Sequence, residues 1–237
     1  MAFNLQTFKT RALTALLFVA VMLAGLLWNF WSFLVLFTVI HFGCWYEFVK
    51  LMKKIYAGKY FGYCLLGLIY ISIPVLMMID LRTFSKIYTL GYENKLILDT
   101  EIPLCIIFSI WINDTMAYLV GSFIGKTPLT KISPKKTWEG TIGGIILCVI
   151  VMGFLYPLII GEELRVSSAP TNTWFFIPAL CAIFGTFGDL FESKLKRMAG
   201  VKDSGSFMPG HGGFLDRFDS LLFAVPAVWV YVQVFLK

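Results

Sequence analysis

The chain alternates between long apolar runs and short polar stretches. Seven runs are each close to the length needed to cross the hydrocarbon core of a membrane, which takes about 20 helical residues. The pattern predicts an all-α fold: a polytopic integral membrane helical bundle of about seven transmembrane helices, forming a single domain over residues 1–237. The runs are Leu13–Trp28, Phe30–Phe48, Phe61–Ile79, Ile102–Ile124, Thr141–Gly161, Trp174–Phe191 and Phe214–Phe235.

The distribution of basic residues predicts the orientation of these helices. With the N-terminus in the cytoplasm, alternation of seven helices leaves 15 of the 20 lysines and arginines in cytoplasmic segments. Cytoplasmic loops of membrane proteins carry such an excess of positive residues. We therefore expect a cytoplasmic N-terminus and an external C-terminus. The first run follows Lys9 and Arg11 without a clear cleavage site, so it is expected to be a retained helix.

Composition supports a membrane protein and narrows its partners. Hydrophobic residues make up 58% of the chain and charged residues only 14%, whereas soluble domains carry about 25% charged residues. The net charge of +6, concentrated on the predicted cytoplasmic side, suits anionic lipid headgroups or a polyphosphate and gives no reason to expect nucleic acid. All five cysteines lie in apolar runs, without a CxxC pair, and are expected to be small buried hydrophobic residues.

The first polar cytoplasmic loop, residues 125–140, is rich in lysine. Ser133 followed by Pro134 resembles a helix N-cap and a first-turn proline. This would place Lys135, Lys136 and Thr137 at a helix N-terminus, where backbone N–H groups and two ammonium groups suit a phosphate. The alternative is that lysines beside a membrane helix only fix its topology.

Carboxylates accompany the second polar cytoplasmic loop. Asp216 and Asp219 are three residues apart at the start of the last run, so they share one helical face. Asp189 ends the sixth run on the same predicted side of the membrane. Three carboxylates form a hard oxygen site of the kind that magnesium prefers. Alternatively, the carboxylates cap the helix or pair with Arg217, although acids at membrane depth are costly and tend to be functional.

Basic residues continue the sixth helix beyond Asp189. Ser193 and Arg197 are four residues apart on one face, and the planar guanidinium of Arg197 can bind phosphate through two parallel hydrogen bonds. Lys196 follows Glu192 by four residues. A surface salt bridge explains that last pair equally well.

Further polar groups stand in a glycine-rich turn and within apolar runs. His211 lies in the turn Pro209–Gly213, where it could bind phosphate, act as an acid or orient the loop. Asp114 lies about 18 Å from the outer end of the fourth run, at about 1.5 Å per residue, so it must face a cavity or a partner. His41 and Glu47 in the second run are also polar residues within an apolar run, although they give a weaker indication of a cavity or a partner than Asp114 does. A structural hydrogen bond is favoured for His41.

The segment Ser193–Asp219 resembles the signature of the phosphatidate cytidylyltransferase family, also called CDP-diacylglycerol synthases. It contains in order Ser, Lys-Arg, Lys-Asp, Pro-x-His-Gly-Gly and Asp-Arg-x-Asp, with Met208 where Leu, Ile or Phe is expected. Upstream, Asp114 and the run Ser133–Gly140 (SPKKTWEG) also resemble the family, while Met116 replaces a common glycine. The resemblance covers roughly the C-terminal half of the chain.

The resemblance implies transfer of a cytidylyl group from CTP to phosphatidate, giving CDP-diacylglycerol and pyrophosphate, at the cytoplasmic face of a bacterial inner membrane. It implies magnesium held by Asp189, Asp216 and Asp219, with catalytic contributions from Lys196 and Arg197. The resemblance leaves undecided whether a second cation binds and whether the protein forms a homodimer. The substrate-binding residues that it implies are Asp114, Ser133, Lys135, Lys136, Thr137, Ser193, Lys202, Asp203, His211, Gly212, Gly213 and Arg217.

Two other functions fit parts of the sequence. A CTP-dependent lipid kinase shares the membrane setting, but it moves the γ-phosphoryl group to an alcohol and needs a base for the hydroxyl. A transporter or channel also contains intramembrane acids. It is disfavoured because the polar groups crowd one face of the membrane rather than tracing a path across it.

Overall fold

The structure, a computed structural model, describes residues 5–88, 95–160, 172–207 and 212–236. Within these ranges the chain forms eight α-helices and no β-strand, which confirms the predicted helical class. The π-helical turn Leu68–Ser72 and a 3₁₀ turn at Ala57–Lys59 flank α3. The helices are α1 (Leu5–Leu27), α2 (Phe30–Tyr56), α3 (Tyr60–Cys64), α4 (Ile73–Tyr88), α5 (Lys95–Ile124), α6 (Trp138–Ile160), α7 (Thr173–Met198) and α8 (Leu215–Phe235).

The third apolar run, Phe61–Ile79, was predicted to be one helix, and this prediction is wrong. The run is divided among α3, the π-helical turn and the start of α4. Pro74 lies in the first turn of α4, and because it lacks a backbone N–H it cannot donate the hydrogen bond that would join α4 to the preceding turn as one regular helix. Gly67 lies close to α2, since a Cβ atom there would be 2.7 Å from the Trp45 ring.

Five helical segments in the described ranges are long and apolar enough to span a membrane, so the chain is an integral membrane protein. The predicted count of about seven spans is not confirmed. The apolar part of α1, Ala12–Leu27, is shorter than the five, and the third run is interrupted. The five segments are Phe30–Cys64, Glu101–Ile124, Trp138–Tyr156, Thr173–Met198 and Leu215–Phe235.

The chain divides into two compact units. The first unit comprises Met1–Ser72 and Leu195–Phe218, and the second comprises Ile73–Lys194 and Asp219–Lys237. Each unit therefore combines two separate stretches of the chain. The signature segment, Ser193–Asp219, contributes its central part to the first unit and its ends to the second.

In the first unit, α2 is fixed at its start and along its length. Asn29 and Ser32 form a reciprocal capping box that satisfies two orphan backbone donors. Further along α2, the ring nitrogen Nε2 of His41 lies 2.9 Å from the hydroxyl of Ser72. Trp45 Nε1 donates to the same hydroxyl at 3.0 Å. The structural hydrogen bond predicted for His41 is confirmed.

In the second unit, α5 and α6 pack through small residues. A Cβ atom on Gly144 would lie 2.7 Å from Cβ of Ala117, and one on Gly143 would lie 2.6 Å from the Val120 side chain. Small residues at a helix crossing allow the backbones to approach, as in other membrane helix pairs. This contact holds the part of α5 that carries Asp114 against the helix that follows the first polar loop.

All five cysteines are free thiols, as expected from the absence of paired motifs. Cys44, Cys105, Cys148 and Cys181 are buried, and Cys64 is half-buried. Cys148 Sγ donates a hydrogen bond to the carbonyl of Ser109 at 3.2 Å. The expectation that these residues serve as small buried hydrophobic groups is confirmed for four of them.

Candidate functional site

Three carboxylates converge in the second unit. Asp189 and Glu192 lie one turn apart on α7, so they share a face, and Asp219 lies on α8. One oxygen from each carboxylate lies within 4.8 Å of the other two. Gly188 permits this approach, because a Cβ atom there would lie 2.4 Å from the backbone carbonyl oxygen of Asp219. We call Asp189, Glu192 and Asp219 the acidic cluster.

The acidic cluster has the chemistry of a divalent-cation site. Glu192 and Asp219 are buried, and like charges held this close in a region of low dielectric repel one another strongly. Carboxylate oxygens are the ligands that magnesium prefers. The donor set therefore fits magnesium, and all three residues could hold it.

Glu192 is the residue that sequence reasoning missed. It was considered only as a salt-bridge partner of Lys196, four residues later. The available signal was its spacing of three residues from Asp189, the same spacing that identified Asp216 and Asp219. Lys196 pairs with Asp216 in the first unit.

Asp189 connects the acidic cluster to the first polar loop. Its carboxylate forms an ion pair with the ammonium group of Lys136, and both side chains are about 30% exposed. Ser193 Oγ donates to the same carboxylate at 3.2 Å. Asp189 therefore has both a cationic neighbour and two carboxylate neighbours. It can bind a metal ion together with the carboxylates, and an anion can compete with it for Lys136.

A cavity of about 530 Å³ adjoins this ion pair within the second unit. Its lining residues were predicted from separate parts of the sequence. They include carboxylates, lysine ammonium groups and hydroxyl groups. Asn113 and Thr186, which were not predicted, also line it. The predicted residues that line the cavity are Asp114, Lys135, Lys136, Thr137 and Asp189.

The first polar loop differs from its prediction at one point. Ser133 was expected to cap a helix beginning at Pro134, but α6 begins at Trp138. Ser133 and Pro134 instead start a turn that is closed by a hydrogen bond from the Lys136 N–H to the Ser133 carbonyl, at 3.1 Å. Thr137 supplies the cap, since its Oγ1 accepts the backbone N–H of Gly140 at 3.1 Å. The N-cap prediction for Ser133 is wrong because a complete turn separates it from the helix.

In the first unit, Asp216 organises the central part of the signature segment. Its Oδ1 accepts a hydrogen bond from the Lys196 ammonium at 2.5 Å. Its Oδ2 accepts backbone N–H groups from Ser204 at 2.9 Å and Gly213 at 2.8 Å. Gly212 adopts a φ of 85°, where a side chain would be strained, and its Cβ would lie 2.6 Å from Oδ2. The Asp216 carboxylate thus joins Ser204 to Gly213. Its predicted metal role stays a prediction.

The end of α7 directs the signature segment away from the helix. The Val201 N–H donates to the Lys196 carbonyl and the Gly200 N–H to the Arg197 carbonyl, with Gly200 at a φ of 65°. This pattern is a Schellman motif, which stops a helix and reverses the chain. Of the remaining predicted residues, Arg197, Lys202, Asp203 and Arg217 are exposed, and His211 lies outside the described residues.

The chain is similar to a known protein family and to several named proteins. The profile of the cytidylyltransferase family matches residues 60–235, which include both polar loops and the acidic cluster. A phosphatidate cytidylyltransferase of Thermotoga maritima is 44% identical over 132 residues, covering 55% of this chain and 48% of its own. One from Bacillus subtilis is 36% identical over 189 residues, covering 79% of this chain and 64% of its own.

A plant protein extends the comparison. The chloroplastic phosphatidate cytidylyltransferase 4 of Arabidopsis thaliana is 45% identical over 124 residues, covering 52% of this chain. The matched regions span 30% to 64% of the lengths of these three relatives. Because the family profile extends over most of the chain, the protein belongs to the cytidylyltransferase family.

Proposed function

We propose that the protein transfers a cytidylyl group from CTP to phosphatidate, forming CDP-diacylglycerol and pyrophosphate. The observation that carries this proposal is the ion pair between Lys136 and Asp189, which joins the acidic cluster to a cavity containing two lysines. Such a site suits a reaction in which two anionic substrates meet beside a divalent cation. The names of the curated relatives support the same chemistry.

The proposed step is an in-line substitution at phosphorus. A phosphate oxygen of phosphatidate attacks the α-phosphorus of CTP, and the bond from that phosphorus to the oxygen bridging the β-phosphorus breaks. The electron pair leaves with pyrophosphate. The nucleophile is already an anion, so the step needs no base for a hydroxyl and no covalent enzyme intermediate.

The residues of the second unit have distinct tasks in this proposal. Lys135 and Lys136 reduce repulsion between the two substrates and hold the lipid phosphate. The acidic cluster would hold magnesium, which, when bound, neutralises charge on the phosphate oxygens of CTP. Ser193 helps to orient Asp189 through its hydrogen bond. Asp114 supplies a polar wall to the cavity.

We further propose that the site faces the cytoplasm. The predicted excess of positive charge on that side supports this orientation. CTP is water-soluble and cannot enter the hydrocarbon core, whereas phosphatidate remains in the bilayer with its headgroup at the interface. A charged cavity near the membrane surface suits both substrates. In a bacterium, the membrane would be the inner one.

The proposal is tested by following the two ends of the triphosphate separately. Purified protein is incubated with phosphatidate, magnesium and CTP labelled at either the α- or the γ-phosphate. We expect α-label in the lipid and γ-label in pyrophosphate. The variant Asp219→Asn, which removes one charge from the acidic cluster, serves as the background control. Transfer of γ-label to the lipid would overturn the proposal and indicate a kinase.

A further inference from the structure

Glu47 is a buried carboxylate of α2 in the first unit, only 3% exposed. Its Oε2 accepts a hydrogen bond from the Ser204 hydroxyl at 2.7 Å and another from the Leu215 N–H at 2.9 Å. Ser204 and Leu215 belong to the signature segment, far along the chain from α2. An acid at this depth in a membrane helix is costly unless its environment stabilises it.

Two glycines make room for the Glu47 carboxylate. A Cβ atom on Gly205 would lie 2.0 Å from Oε1, and one on Gly213 would lie 2.2 Å from Oε2. Neither position could carry a side chain without moving the carboxylate or the loop. Gly205 and Gly213 of the signature segment thus lie close to the end of one α2 side chain.

The contacts of Glu47 continue to the predicted functional residues. The Ser204 hydroxyl lies 2.7 Å from Glu47 Oε2 and 2.9 Å from Asp216 Oδ2, so one serine lies between two carboxylates and can donate its single proton to either of them. Asp216 in turn holds Lys196. The resulting series, Glu47, Ser204, Asp216 and Lys196, connects α2 to both ends of the loop between α7 and α8.

Glu47 also satisfies the start of α8. Leu215 is the first residue of that helix, and the N–H groups of a first turn have no acceptor within the helix. A carboxylate at this end accepts one of them and interacts favourably with the helix dipole. One side chain thereby fixes both the loop at Ser204 and the N-terminus of the helix that carries Asp216.

We propose that Glu47 is a positioning residue, which sets the geometry of Asp216 and Lys196 through Ser204 and the start of α8. Glu47 acts through the length and the acceptor oxygens of its side chain, and it does not bind a substrate or a metal. The effect on turnover rests on the proposed cytidylyl transfer, while the effect on the conformation of the loop does not.

Substitutions of Glu47 distinguish positioning from chemistry based on charge. Glu47→Gln keeps the length and one acceptor oxygen but loses the charge, whereas Glu47→Asp keeps the charge and is too short by one methylene. Positioning predicts that turnover falls in the order wild type, Gln, then Asp, with Glu47→Ala at least about tenfold below wild type, the effect of losing a charged hydrogen bond. If Glu47 acts through its charge, the turnover of Glu47→Asp should exceed that of Glu47→Gln.

Amide hydrogen exchange of the protein without substrates provides an independent readout. In Glu47→Ala the Leu215 amide loses its acceptor directly, whereas the Ser204 amide keeps Asp216 as acceptor. If Glu47 positions Asp216, exchange should accelerate about tenfold or more at both amides. The matched control is His41→Ala, which removes a hydrogen bond from the same helix without touching the loop.

The outcomes separate this inference from the proposed reaction. Acceleration at both amides in Glu47→Ala, partial rescue by Glu47→Gln and no acceleration in His41→Ala would support it. Acceleration confined to Leu215 would reduce Glu47 to a helix cap and overturn the inference, as would the order Asp above Gln in turnover. A wild-type protein that fails to transfer α-label would refute the proposed reaction, and the exchange results would still decide the role of Glu47.

Discussion

At the scale of single residues, two of the predicted acids form ion pairs with lysines. Asp189 pairs with Lys136, while Asp216 pairs with Lys196 in the other unit. The pair at Asp189 is partly exposed and opens on the cavity. An incoming phosphate can replace the carboxylate as the partner of Lys136, provided that a divalent cation neutralises Asp189 in exchange. Binding of metal and phosphate should therefore favour each other.

Lys136 is predicted to serve the lipid phosphate. In Lys136→Gln, loss of a charged hydrogen bond should raise the apparent KM for phosphatidate about tenfold or more and the KM for CTP by less. Steady-state kinetics in mixed micelles measures both constants. Lys131→Gln is the matched control, because it makes the same change in the same loop at a residue that does not line the cavity. Equal increases for both substrates would show that one undivided anion site serves them.

At the scale of helices, close backbone contacts bring the functional side chains together. The acidic cluster depends on the approach of α7 to α8 at Gly188, and the cavity depends on the approach of α5 to α6 at Gly144. In both places the residue is glycine, and a larger side chain would push the two backbones apart. The charged residues define the chemistry, and the small residues define the distances between them.

Gly188 and Gly185, one turn apart on α7, offer a direct test of this dependence. A Cβ atom at Gly188 would lie 2.4 Å from the backbone of Asp219, whereas one at Gly185 would lie 3.3 Å from the Ser220 side chain. Gly188→Ala should displace Asp219 and lower turnover by about 100-fold, the cost of a displacement near 1 Å. Gly185→Ala should lower turnover much less. Similar turnover in the two variants, measured with equal amounts of folded protein, would refute the argument.

At the scale of the whole molecule, the orientation in the membrane decides which substrates can reach the site. Ser206 is exposed in the first unit, and the distribution of positive charge predicts that it lies in the cytoplasm. Ser206→Cys in a variant without native cysteines should react with an impermeant thiol reagent only after the inner face is opened. Reaction in sealed, right-side-out vesicles would reverse the predicted topology.

Much of this organisation could be predicted from the sequence because hydrophobicity and charge act locally. The apolar runs predicted most helices, and the lysines and aspartates of the polar loops predicted the residues that line the cavity at Lys136 and Asp189. The interruption of the third run before α4 was missed because the length and hydropathy of an apolar run do not take account of the backbone donor that Pro74 lacks.

Glu192 and Glu47 were not assigned from the sequence, for a different reason. Each owes its surroundings to chain segments that are distant in sequence. Glu192 joins Asp219 because Gly188 of α7 allows the backbone of α8 to approach, and Glu47 reaches Ser204 and Leu215, which lie more than 150 residues away along the chain. Only the tertiary fold brings these groups together, and the spacing of Glu192 from Asp189 does not by itself indicate the contact with Asp219.

The magnesium dependence of Glu192→Gln tests the central claim most directly, since the structure alone adds this residue to the site. Transfer of α-label from CTP to phosphatidate is measured across a magnesium titration, beside Asp80→Asn, which changes an exposed carboxylate bonded to Trp229. We predict that Glu192→Gln needs at least about tenfold more magnesium for half-maximal transfer, because ligand charge sets the affinity of such sites. Asp80→Asn should behave like wild type. An unchanged magnesium requirement in Glu192→Gln would contradict the assignment of the acidic cluster as the metal site.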